Sequence, residues 1–168
     1  MSGRRRIASG GAAAVAFGLL LTSCGSPASS NVTADDAELT LSTVDGVDSA
    51  VVDASQSYEG LDRRSRVAVE MTLTDGRVAQ DASDLVTFVL GVAWSVGPRQ
   101  PSDVVSVGFR GSPAETVDWK DAATTAGFTP LDMLDGSRFS ASTDDLTTAF
   151  GPWPGDVPDA PPGIITQP

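Results

Sequence analysis

The chain has 168 residues with 11 Lys+Arg against 22 Asp+Glu, one Cys and no His, for a formal charge of −11 and a pI near 4.1. Without His there is no Ser-His-Asp or Cys-His machinery and no His-ligated metal. One Cys excludes an internal disulfide, and the acidic balance excludes a nucleic-acid binder, because phosphate repels carboxylate.

The chain opens with Arg4, Arg5 and Arg6, and the first acid is Asp35. An apolar run follows from Ile7 to Leu21, rich in Ala and closing on Leu19, Leu20 and Leu21. Fifteen residues are short for a membrane span, which needs about 20. A basic start, an apolar centre and small residues after it predict a cleaved secretory signal. Leu21-Thr22-Ser23-Cys24 sits directly behind this run.

Those four residues resemble the lipobox of bacterial lipoproteins. The resemblance covers residues 1–24. It implies that the Cys24 thiol receives a diacylglyceryl group, that a signal peptidase recognising Leu21, Thr22 and Ser23 cuts before Cys24, and that palmitate-type chains hold the product. Each buried CH₂ contributes about 0.8 kcal/mol, so two or three chains give firm attachment. The expected location is the extracytoplasmic face of the cell membrane. Loss of residues 1–23 removes three Arg and no acid, so the remainder is more acidic still.

The domain plan has four parts: 1–23 as signal peptide, 24–33 as lipidated tether, 34–150 as one α+β domain and 151–168 as a Pro-rich extended or disordered tail. Thr33 with Asp35 and Asp36 reads as a capped helix start, and Ala34, Ala37, Leu41 and Val44 share a helical face. Leu39-Thr40-Leu41-Ser42-Thr43 also alternates, so a strand stays open there. Val47–Ala54 reads as a strand and Gln56–Asp62 as a hairpin connection. Ser65–Leu73 alternates cleanly, with Val67, Val69, Met71 and Leu73 on one side. Such a strand belongs to a sheet covered on one face.

Asp81 caps the next predicted helix. Leu85, Phe88, Val89, Val92 and Val96 make one apolar row, and Val86, Leu90 and Trp94 a second, so this helix should be buried on two sides. Asp103–Arg110 is another alternating strand. Short helices are expected over Asp118–Ala126 and after Ser142. The order predicts a two-layer α+β sandwich. Its small, mainly antiparallel sheet carries one long apolar helix on one face, of the ferredoxin-like or split βαβ type. Residues 44–52 resemble the helix-to-strand join of ferredoxin-like domains. The parallel crossover through the long helix should be right-handed.

Few residues carry chemistry. Asp35-Asp36 and Asp144-Asp145 are explained by helix capping rather than by paired-carboxylate catalysis. No acidic segment matches a calcium loop, and no Gly-rich phosphate loop follows the signal. No metal or cofactor is expected. Arg63, Arg64 and Arg66 form the one basic cluster after the signal, suited to an anionic headgroup or an acidic partner loop, or to blocking a sheet edge. Trp153 is either packed on the domain or offered to a partner. The expected function is a non-catalytic, membrane-anchored interaction or accessory module with an envelope protein as partner. The alternative is a ligand-binding or sensing lipoprotein with an apolar pocket beside Val86, Leu90 and Trp94.

Overall fold

The computed structural model describes residues 32–111, 116–131 and 136–167. The signal and lipobox, with Leu21, Thr22, Ser23 and Cys24, lie outside the described residues. So does the tether up to residue 31.

Helix α1 spans Ala34–Ser42. Thr33 caps it in a full capping box, since its hydroxyl oxygen accepts from the Asp36 amide and the Asp36 carboxylate accepts from the Thr33 amide. The helical alternative therefore wins over the strand, and Ala37 and Leu41 are its buried positions. Strands β1 (Val47–Glu59) and β2 (Asp62–Leu73) follow as an antiparallel hairpin. The expected long connection over Gln56–Asp62 is corrected: the ladder runs out to the Glu59–Asp62 pair, and only Gly60 and Leu61 make the turn. Gly60 has φ +65°, a conformation that suits a two-residue turn and disfavours a side chain. Polar residues suggest a loop there, but a hairpin projecting into water needs no apolar face.

A short strand β3 (Val78–Ala79) precedes α2 (Ala82–Ser95). Asp81 caps α2 through the amides of Ser83 and Asp84. The Ser83 hydroxyl and these two amides hold the Asp81 carboxyl below its ordinary value. Both apolar rows of α2 are buried as expected: Leu85, Val86, Leu90, Val92 and Trp94 expose nothing. Then come β4 (Val104–Arg110), α3 (Trp119–Thr125), β5 (Arg138–Ser142), α4 (Thr143–Phe150) and β6 (Ile165–Thr166).

The four-stranded sheet has the order β1-β2-β4-β5. The outer pairs are antiparallel and the central pair, β2 with β4, is parallel. The class is α+β with a mixed sheet. The expected split βαβ is corrected, because a split unit has another strand between its two parallel ones. Here Val67, Val69 and Met71 of β2 lie directly beside Val105, Val107 and Phe109 of β4. Both strands carry large apolar side chains toward α2, so joining them directly gives the helix one continuous floor.

Helix α2 packs on β2 and β4, with α1 over β1 and α3 and α4 toward β5. The Phe109 and Trp119 rings stack at 3.8 Å between centroids and 12° between planes, tying α3 to β4. The tail packs on the domain: Ile165 and Thr166 pair with Ala79 and Val78 in a second, two-stranded sheet. Ile164 and Ile165 are buried. Between Phe150 and Ile164 the tail crosses α2. A Cβ on Gly91 would come within 2.9 Å of Pro158, and one on Gly155 within 2.9 Å of Trp94. The Trp94 indole N–H donates to the Gly151 carbonyl at 3.1 Å. No helix among the described residues is long and apolar enough to cross a membrane.

Candidate interaction surface

Period-2 alternation sends half of each strand to the face away from α2. On that face β1 contributes Val51, Asp53 and Ser55. From β2 come Arg66, Ala68, Glu70 and Thr72. From β4 come Ser106, Gly108 and Arg110, and from β5 come Arg138 and Ser140. The register sets Asp53 beside Ala68, Val51 beside Glu70, Ser106 beside Ser140 and Gly108 beside Arg138. No helix among the described residues covers this face, and Val51, Asp53, Arg66 and Arg110 are exposed on it.

Its floor is made of small side chains. Ala68 and Ser106 floor a shallow hollow of about 320 Å³, walled by Asp53, Arg66, Glu70 and Arg138. The Ser106 and Ser140 hydroxyls lie 3.0 Å apart. Two hydroxyls carry two protons and this bond uses one, so the pair keeps one donor for a third group. Both serines are nearly buried under the surrounding longer side chains.

The charges divide into paired and unpaired sets. Glu70 accepts from Arg138 Nη2 at 2.7 Å through one oxygen and pairs with Arg110 Nε through the other. Its side chain is 29 % exposed, against 40 % for Arg138 and 63 % for Arg110. One carboxylate holding two guanidiniums leaves a net positive knot at the β4–β5 side. Asp53 and Arg66 make no ion pair among the described residues. The face is thus polar, mixed in sign and hollow at its centre. It is suited to a complementary polar surface rather than to an apolar small molecule.

Sequence reasoning found only part of this. Arg66 belongs to the basic cluster and lies on the open face. Arg64 is engaged at its lower edge, with Nη1 2.9 Å from Asp103 Oδ2 and Nε 3.6 Å from Glu59. Arg63 points to the other side of the hairpin, where it pairs with Gln56 Oε1 and stands 5.8 Å from the Tyr58 ring centroid. The three arginines therefore do not act as one patch. Trp153 is not brought to them: it packs, half-buried, against the core. Glu70, Arg110 and Arg138 were missed as a group. Glu70 and Arg138 are 68 residues apart, and only the pairing of β4 with both β2 and β5 joins them.

Val86, Leu90 and Trp94 lie inside the core, with Trp94 directly beneath the tail. Among the described residues no three metal-ligating side chains come together. Asp36 and Asp145 serve the helix starts, and Asp145 also accepts from the Thr129 amide at 3.1 Å. Compared with protein-family models, curated proteins and solved structures, the chain finds no match in any of the three.

Proposed function

We propose that this protein is a lipid-anchored, extracytoplasmic bacterial module that binds another envelope protein through the open face of its sheet and catalyses nothing itself. The anchor reading rests on the arginines at 4–6, the apolar run and Leu21-Thr22-Ser23-Cys24. The observation that carries the binding reading is the uncovered sheet face. It has Asp53 and Arg66, which make no ion pair among the described residues, a spare hydroxyl donor at Ser106 and Ser140, and an Arg–Glu–Arg knot at one side. Sheets with a helix layer on one face normally leave the other face wet, so exposure alone means little. Small floor residues inside a rim of long charged ones are more than solubility needs. They leave room for a partner's side chains, and Arg is enriched where proteins meet.

Photo-crosslinking tests the reading. A photoreactive residue replacing Asp53, carried by the full chain in its native host, is expected to yield one discrete adduct with an envelope protein. The same residue at Asp121, exposed on α3 in the helical layer, is expected to yield none. Equal diffuse labelling from both positions would contradict the assignment of this face.

A further inference from the structure

The β1–β2 hairpin runs past the rest of its sheet. β4 joins β2 only from Val67 onward, whereas β1 stays paired out to Glu59 and Asp62. Loop residues 99–103 brace it only as far as Arg64 and Ser65: the Ser102 amide donates to the Ser65 carbonyl at 2.9 Å, and Asp103 takes Arg64. At about 3.3 Å per residue the tip extends about 10 Å beyond that brace. Leu61 at its apex is 102 % exposed and Tyr58 is 70 % exposed.

The same end of the molecule receives the amino-terminal segment. Val32 bridges Val96, and the Gly97 amide donates to the Val32 carbonyl at 3.0 Å, at the start of the loop that braces the hairpin. Eight residue steps separate Cys24 from Val32. Fully extended they reach at most about 29 Å, which comfortably exceeds the projection of the tip. A lipid on Cys24 would therefore leave the hairpin tip within reach of the lipid surface. At such enforced proximity even a weak contact is occupied.

We infer that the hairpin tip, through Tyr58, Leu61 and Arg63, is a second membrane contact, resting on the phosphate headgroups of the bilayer that holds Cys24. The inference rests on the lipid-anchor reading above. Leu61 enters the boundary between headgroups and acyl chains. Tyr58 lies at headgroup level with its hydroxyl in water, as Tyr does at membrane interfaces. Among the described residues Arg63 makes no ion pair; its guanidinium meets Gln56 and the Tyr58 ring and keeps N–H groups for a phosphate. Glu59 and Asp62 oppose this, but the charge of Glu59 is offset by Arg64, whose Nε lies 3.6 Å away. The acidity of the rest of the chain is screened beyond about 8–10 Å. With the tip down, the strands stand upright and the open sheet face looks sideways, toward neighbours on the same membrane.

The test uses the acylated chain in vesicles of phosphatidylglycerol and phosphatidylethanolamine, spin-labelled through Leu61→Cys, Ser57→Cys or Asp75→Cys. Asp75 lies in the exposed turn after β2, at the opposite end of the sheet. The label at 61 is expected to collide often with oxygen and to lose most of its collisions with a water-soluble nickel chelate, while the label at 75 keeps them. The Ser57 label should share the protection and lose it on adding Leu61→Asp, a change at a fully exposed side chain that leaves the fold intact. If the chain is acylated and vesicle-bound but position 61 is as wet as position 75, the hairpin inference is overturned and the anchor stands. Protection in native membranes but not in pure lipid means a protein covers the tip, which also overturns it. A chain that is neither acylated nor vesicle-bound overturns both readings.

Discussion

Truncation after Phe150 is expected to lower the unfolding free energy by about 4 kcal/mol, a large share of the about 5–15 kcal/mol that holds a domain together. Ile164 and Ile165 are 5 % and 3 % exposed, and each buried Ile contributes about 1.5–3 kcal/mol. The β3–β6 pairing disappears, and the Trp94 N–H loses the Gly151 carbonyl, worth about 1 kcal/mol. Ordering the tail costs entropy against this, but six of residues 151–168 are Pro, which restricts the unfolded tail as well. Urea unfolding followed by Trp fluorescence measures the difference. An unchanged midpoint would mean that the tail contributes nothing to the domain.

Trp94→Ala is expected to cost about 3–5 kcal/mol, as large-to-small changes of a buried Trp do. Trp94 is wholly buried, on the helix that contacts β2, β4 and three other helices, and it touches the tail through Gly151 and Gly155. Its loss and the truncation share those contacts, so the two effects should fall short of additive by about 0.5–3 kcal/mol in a double-mutant cycle. Trp94→Phe keeps most of the packing and gives up the N–H donor, so it should cost much less than Trp94→Ala. Strict additivity of the truncation and Trp94→Ala in the same urea series would show that the tail is held elsewhere than over α2.

Local signals accounted for the elements whose patterns are long. Asp81 before two apolar rows gave α2 with its cap, and the alternation of Val67, Val69, Met71 and Leu73 gave the core face of β2. Thr33 with Asp36 gave α1 against a competing alternation, because a capping box satisfies two amides that a strand would leave to other partners. Strand β5 was missed although Phe139 and Ala141 alternate with Arg138 and Ser140; five residues after a Gly-Ser pair carry too little pattern to separate a strand from a loop. Whether the tail packs is not legible in the sequence for a related reason. Proline-rich composition speaks of local backbone stiffness, while the burial of Ile164 and Ile165 depends on β3, far back in the chain.

The interaction face was half legible for the same physical cause. Arg66, Glu70 and Arg110 stand at the wet positions of strands that the sequence marks clearly. That Glu70 holds both Arg110 and Arg138, and that Ser106 meets Ser140, follows from the strand order β1-β2-β4-β5. A periodicity of two tells which side a residue faces. It does not tell which strand lies next to it. The basic cluster shows the converse: Arg63, Arg64 and Arg66 are neighbours in sequence, but alternation and ion pairing divide them among separate tasks.

On the reading proposed above, the folded domain hangs from a lipid on Cys24. The most direct test of that reading is the intact mass of the chain purified from membranes of its native host, beside Cys24→Ser, with detergent-phase partitioning of both. The expected wild-type chain begins at Cys24, carries the added mass of a diacylglyceryl group and enters the detergent phase, while the variant lacks that mass and stays in water. A wild-type chain cut at another residue, unmodified and water-soluble, would contradict that reading.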